Sequence, residues 1–600
     1  MADSEKKWNR FQRLSVKPGR FSEKAKRAET VSLKHAHRFL VKRIHNAREV
    51  RRNIALWMLG MGALIAIATV QFFLYQSSYM VYTGAEGGTY AEGVKGDIGT
   101  LNPLYASSPG EQAAARLMFS SLFAYDKTGN LKGDLAQNIS VLDNGKRYRV
   151  ELRPVALWHD KQRVTADDVV FTVGLLKNPA AGISGSASWQ NIDIKKIDAR
   201  TVEFVLPSTY APFPNVLTFA VLPKHLLEKV EPSSLRDGSF SSQPVGSGPF
   251  SFRLRQDIKG RDAHTVVHMN QNKDYYGGAP KIERFQLHTY ASSDELTRAI
   301  RSHAVNAVSG LSLSSYRQFE SEAEYNSKLT PTHAGVYAIF NTKSLSALSD
   351  TKVRQALQVG TDVSQAVATL PVKMPVLDTP ILNSQTDLGD IKKPGYDKTK
   401  AASMLDDAGW KKNAKGIREK DGTPLVLRVV AIKDADYESV VANLSKQWRE
   451  LGAKVEIRIV DTNDPAQNIA SSVLQPRDFD VLVHELYLGA DPDVFAFWHS
   501  SQAVERGLNF ANYRNGLSDD ALSSARLRLE DDLRDAKYQT FVRQWLKDVP
   551  AIGLYQSQLT YVHTNGSTAY DEGSSFVTAN DRFNDVRYWT TSQGPVYKTP

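Results

Sequence analysis

Three consecutive runs decide the fold class: PLVLRVVAI (residues 424–432), YESVVANLSKQWREL (437–451) and KVEIRIVD (454–461). The outer two are short, rich in Val and Ile, and read as buried strands; the middle one has the apolar periodicity and length of a helix. Strand, helix and strand in that order form a βαβ unit, which requires parallel strands. A helix through Ile469 and a strand in DFDVLVHELYL (478–488) continue the alternation. The second half of the chain therefore reads as α/β with a parallel sheet.

Upstream the pattern changes to hairpins. ISVLDNGKRYRVELR (139–153) sets Asp143-Asn144-Gly145 between two alternating apolar runs, and NIDIKKIDARTVEFVLP (191–207) repeats the theme around Asp198. Between them Thr165-Ala166-Asp167-Asp168 has the form of a capping box ahead of Val169, Val170, Val173 and Leu176, so a helix starts at Thr165. From Gly88 onward no linker, low-complexity run or repeat interrupts the chain, which points to lobes interwoven by chain crossings.

The chain has 600 residues, 42% hydrophobic and 23% charged, with a net charge of +10 and no cysteine. It is too long for one core and too apolar for disorder. Without cysteine, a disulfide scaffold, a thiolate zinc site, a catalytic thiol and a lipid-modified N-terminal cysteine are excluded. The charge is local: residues 1–53 carry 16 Lys/Arg against five acids, a net of +11, which leaves −1 for the remainder. A positive total thus gives no reason to expect a polyanionic partner, and no nucleic-acid-binding motif accompanies it.

Ile54 to Tyr75 is a 22-residue apolar run without a charge. At about 1.5 Å per residue it spans roughly 33 Å, enough for a bilayer core of about 30 Å. Seven Lys/Arg lie in the twenty residues before it and only Lys95 in the twenty after it, which places the N-terminus in the cytoplasm and the C-terminal domain outside it. The expectation is an uncleaved, single-pass signal anchor in the cell membrane; Ser77 and Ser78 leave cleavage open. Leu33, Ala36, Leu40, Ile44 and Ala47 recur at helical spacing among basic residues, the pattern either of an amphipathic helix on anionic lipid or of a solvated tail.

No catalytic engine is legible. GxxxxGK[ST] is absent, and Gly246-Ser247-Gly248 runs into Pro249, unsuited to opening a phosphate-binding helix. His264 and His268 have helical metal-pair spacing, but Thr265, Val266 and Val267 between them favour a strand. Trp158-His159-Asp160 reads as a turn, and Asp491-Pro492-Asp493 as a loop or helix start. No cofactor and no metal are expected.

The order of motifs resembles the family 5 extracellular solute-binding proteins, the dipeptide- and oligopeptide-binding components of ABC importers. The resemblance runs from GTLNPLYA (99–106) through LFAYDKTGNLKGDLAQNI (122–139) and YRVELRPVALWHDKQRVTADDVVFTV (148–173), its most specific stretch. It continues in PVGSGPFSF (244–252), NKDYYGGAPKIERFQL (272–287), DTKVRQAL (350–357) and YDKTKAASMLDDAGW (396–410). It implies a two-lobed, periplasmic-binding-protein-like clamshell with an accessory subdomain and two crossover strands, near Val336 to Phe340 and Leu554 to Val562. The map that follows is a basic cytoplasmic leader (1–53), a transmembrane anchor (54–75), a tether (76–87), lobe I with the accessory subdomain (88–335), lobe II (336–556) and a C-terminal return to lobe I (557–600).

In peptide-binding members an extended ligand pairs its backbone with two short protein segments. The resemblance carries these onto Ser107-Ser108-Pro109 and His484-Glu485-Leu486, although Pro109 lacks an amide hydrogen. The acid that holds the ligand's amino terminus in relatives falls on Leu488; Glu485 or Asp491 is the nearest replacement, and otherwise the ligand has no free amine there. Tyr487 and Trp498 are the aromatic ligand candidates, with Phe495 and Phe497 assigned to the core. The function implied is capture of a small-molecule ligand, a peptide first, for an ABC permease and its ATPase subunits, with residues 54–75 in membrane lipid and no catalysis. A sensor uncoupled from import and an exported hydrolase are the alternatives.

Overall fold

The computed structural model describes residue 34 and residues 50–597, apart from 261, 345, 463 and 465. The amphipathic pattern expected from Leu33 to Ala47 lies, Lys34 apart, outside the described residues. The chain forms two compact units, Met1–Thr83 with Pro595–Pro600, and Gly84–Gly594.

In the first unit, helix α1 (Arg51–Tyr79) covers the apolar run. Trp57, Leu59, Phe73 and most of its other large apolar side chains are exposed, and among the described residues it is the one helix long and apolar enough to cross a membrane. The stretch expected as a tether is in part regular structure, because α1 continues to Tyr79 and Met80–Gly84 is a strand.

The second unit is built on a ten-stranded mixed sheet, labelled β1 (Thr89–Lys95), β2 (Phe250–Ile258), β3 (His264–Gln271), β4 (Arg284–Tyr290), β5 (Ala307–Ser309), β6 (Tyr325–Phe340), β7 (Val426–Ile432), β8 (Lys454–Val460), β9 (Val481–Tyr487) and β10 (Ala551–Thr564). Its spatial order is β8-β7-β9-β6-β10-β5-β1-β4-β3-β2. The βαβ reading holds: β7, β8 and β9 are mutually parallel where they pair. Helix α4 (Ala435–Leu451) links β7 to β8. It is capped by the Asp434 carboxylate and ended by Gly452 in a left-handed conformation (φ 106°), and it buries Val440, Val441, Leu444 and Trp448.

The two longest strands, β6 and β10, join the lobes. They pair antiparallel from Tyr325↔Thr564 to Pro331↔Gln558, separate, and resume from Gly335↔Gln556 to Ile339↔Ala551. The interruption falls where His333 N–H turns away to the Phe576 carbonyl. One sheet therefore runs through both lobes, broken only at a short bend.

The hairpin region forms a separate four-stranded antiparallel sheet, in spatial order Ala136–Leu142, Arg147–Leu152, Thr201–Val205 and Asp193–Lys196. Its first turn is the expected Asp143–Gly145, with Asn144 at φ 53° and Gly145 at φ 78°. Helix α3 (Ala166–Lys177) starts from a Thr165–Asp168 capping box as its sequence predicts. Gly246 and Gly248 are small for a packing reason, since a Cβ on either would collide with the Met118 carbonyl at the end of α2 (Pro109–Met118). His159 accepts from Gly246 N–H and contacts the Gly248 carbonyl (3.0 Å), so the Trp158-His159-Asp160 turn is a structural clasp.

Candidate functional site

The two ends of β9 differ in what covers them. It pairs with β7 only at Val481 and Leu482, because β7 ends at Ile432 and Lys433 N–H turns to the Val460 carbonyl. On its other side it pairs with β6 throughout, from Phe340↔Val481 to Ala334↔Tyr487, and Leu488 N–H extends the ladder to the His333 carbonyl (2.8 Å). Peptide groups alternate sides along a strand, so those of Leu482, His484, Leu486 and Leu488 face β6. The peptide groups of Glu485 and Tyr487 face the other way, past the end of β7, and no strand among the described residues covers them. This is an unpaired sheet edge two residues long, at the carboxyl end of a parallel strand beside the crossover.

Side chains alternate as well. Val481 and Val483 belong to the core that holds Val336 and Tyr555, on the face that Glu485 and Tyr487 share, and Tyr487 is 66% exposed. On the opposite face, Leu482, Leu486 and Leu488 pack with Trp498, and the His484 ring meets Phe510 edge-on at 5.7 Å. Burial pushes the His484 pKa down to about 4. Of the expected segment, only Glu485 thus presents both peptide group and side chain to open space, and Tyr487 joins it.

Beside Glu485 lies a cavity of about 330 Å³ between the lobes at the bend. The turn Gly310–Leu313 borders it from lobe I, Val336 and Tyr555 from the crossovers, and Asp434, Asp436 and Tyr437 from the start of α4. No basic side chain lines it, and none of its three carboxylates is in an ion pair among the described residues. Asp434 spends one oxygen on the N–H groups of Asp436 and Tyr437, and Asp436 spends one on Leu313 N–H, across the lobes. Burial and then the neighbouring Asp434 charge push the Asp436 pKa up to about 6. Tyr555 is only 5% exposed, yet its hydroxyl has no hydrogen-bond partner among the described residues. Asp434 and Asp436 are not among the candidates that the sequence motifs offer. The usable signal was their place at the carboxyl end of β7, where open α/β sheets bind ligands.

The lobe I segment departs from expectation. Ser108 caps α2 and Pro109 is its first residue. The Glu111 carboxylate accepts from the N–H groups of Ser107 (2.8 Å), Ser108 (3.0 Å), Gly99 (2.9 Å) and Thr100 (3.0 Å), while the Ser108 carbonyl receives Gln112 N–H. The backbone donors of Ser107-Ser108-Pro109 are all committed or missing, so this segment cannot donate to a ligand ladder. Two further candidates are corrected. Trp498, 1% exposed, is core, packed against Trp545 and Tyr337. Asp491 is paired with Arg534 at 2.6 Å and both side chains are 12% exposed, so its charge is already answered.

The lobes also touch through Tyr210, Asp493 and Arg526. The Tyr210 hydroxyl donates to Asp493 (3.1 Å), and Arg526 holds the same carboxylate through Nε and Nη2 (2.9 Å each). The Arg526 guanidinium lies 3.8 Å from the centre of the Phe495 ring, and its carbonyl accepts Ala211 N–H at 2.8 Å. The accessory region thus reaches helix α5 (Gly516–Arg526) of the other lobe.

Two lobes joined by crossover strands, with an unpaired strand edge beside the crossover, define the class of proteins that hold a solute by closing over it. Residues 130–506 match the model of bacterial extracellular solute-binding proteins, family 5 Middle, and the chain belongs to this family. Among curated relatives, the oligopeptide-binding protein AppA of Bacillus subtilis is 27% identical over 521 residues, covering 84% of this chain and 92% of AppA. The structure of that AppA with a nonapeptide superposes with a TM-score of 0.70 at 24% identity, covering 85% of this chain and 99% of AppA. The ABC transporter substrate-binding protein CtaP of Listeria monocytogenes gives 0.73 at 22% identity, covering 84% and 100%. NikZ of Campylobacter jejuni, in complex with Ni(L-His), gives 0.70 at 25% identity, covering 84% and 99%. The two-lobed α/β fold and a solute-binding, non-enzymatic role in ABC transport follow.

Proposed function

We propose that this chain captures peptides between its lobes by adding them as a short strand to the edge of β9, and passes them to an ABC-type permease. The observation that carries this is the pair of outward-facing peptide groups at Glu485 and Tyr487, which offer hydrogen bonds to an extended backbone. The peptide ligands named for AppA support the same reading. Helix α1 serves as the membrane tether in place of a lipid-modified cysteine, with its basic flank cytoplasmic.

Full-length protein in detergent micelles, titrated with peptides of two to nine residues, is expected to show a thermal upshift and calorimetric binding. A scan of singly N-methylated versions of a bound peptide is then expected to lose affinity at the amides facing β9 and not at their neighbours. No response to the whole peptide panel overturns the peptide assignment; binding indifferent to N-methylation overturns the strand-edge mode.

A further inference from the structure

The cavity beside Glu485 is charged in one sense only. Asp434, Asp436 and Glu485 face it without a cationic partner, and two tyrosines, Tyr437 and Tyr555, form part of its wall. Tyr555 supplies an independent sign: a side chain 5% exposed whose hydroxyl bonds to no protein group, although it borders the cavity. That hydroxyl opens onto the cavity and is free to bond an acceptor or donor that arrives with a ligand. Carboxylates, an unused hydroxyl and aromatic faces together recognise an ammonium or guanidinium group.

The position of the cavity decides which part of a peptide enters it. A strand added to β9 continues along the sheet edge, whereas its side chains stand perpendicular to the sheet. The cavity lies on the face of the sheet that carries Val336, Glu485 and Tyr555, so a side chain reaches it and the end of the chain does not. Its 330 Å³ is at the low end of the roughly 300–1,000 Å³ of ligand pockets, suited to one long side chain. Resting on the peptide-binding reading above, we infer that the hinge cavity is a specificity pocket for the side chain of arginine or lysine, which makes this receptor selective for basic peptides.

The test uses the full-length protein in detergent and pentapeptides of alanine carrying one arginine at each position in turn. Each is compared with its citrulline counterpart, a neutral isostere, and with N-acetylated forms. At one position the arginine peptide is expected to bind at least about tenfold more tightly than the citrulline peptide, with or without the acetyl group. D434N, which keeps a good helix cap, and Y555F, which removes a hydroxyl the fold does not use, are both expected to shrink that ratio toward one without a loss of thermal stability. Peptides that bind with no arginine preference overturn the pocket and leave peptide capture standing. A preference that vanishes on acetylation assigns the carboxylates to the amino terminus and overturns the side-chain assignment. If no peptide binds, the peptide reading itself fails.

Discussion

Asp436 is the member of the hinge cluster whose charge changes near neutrality. Burial and Asp434 push its pKa up to about 6, and a bound cation favours its ionised form. Affinity for an arginine-bearing peptide is therefore expected to fall as pH drops from about 7.5 to about 5, with protons released on binding near pH 6. Calorimetry in buffers of different ionisation enthalpy reads both, and a flat profile contradicts the role given to Asp436. Elsewhere, Glu92 and Arg582 form a buried pair in lobe I (2.6 Å, both side chains at most 2% exposed), with Tyr561 donating to the second Glu92 oxygen at 3.0 Å. Burial pushes the Glu92 carboxyl up and Arg582 pulls it back. R582M strands that carboxylate and is expected to cost about 3–5 kcal/mol in chemical denaturation, while E92L/R582M recovers most of the loss. A single variant no less stable than the double one excludes this account.

The start of α2 shows how an element spends its polar groups. Burial alone would raise the Glu111 pKa, but the N–H groups of Ser107, Ser108, Thr100 and Gly99 hold it below the ordinary carboxylate value. A depressed folded pKa gives stability that is present above the unfolded value, about 4.3, and lost as pH falls through the folded one. E111A is expected to lose about 2–3 kcal/mol at neutral pH and to show a flatter acid limb; an acid limb unchanged from wild type would count against the cap. The same helix shows what was legible in the chain. Periodic runs were read correctly, as in β7, α4, β8 and the Thr165 cap of α3, because periodicity and capping are local properties. The site was legible only in part. Glu485 and Tyr487 are candidates in the sequence, but the end of β7 beside them depends on pairing between strands some fifty residues apart. Trp498 is ambiguous in sequence because an indole is equally suited to a wet cleft and a core, and only packing against Tyr337 and Trp545 decides between them. Asp434 and Asp436 meet Glu485 through tertiary contact alone.

At the scale of the molecule, the lobes are joined by β6 and β10 and touch again through the Tyr210–Asp493–Arg526 contact. A hydrogen bond to a carboxylate is worth about 1.5–3 kcal/mol, so Y210F is expected to move the closed-to-open ratio about tenfold or more toward open. Small-angle scattering of the ligand-free protein would then give a larger radius of gyration than wild type; an equal radius would mean that the contact does not hold the lobes together. The continuous sheet has a further consequence, for cooperativity. Because β6 and β10 are hydrogen-bonded members of both halves, neither lobe can lose its strands without opening an edge in the other. Melting of residues 84–594 is accordingly expected as one calorimetric transition, its van't Hoff and measured enthalpies in agreement, in a chain long enough for two independent ones.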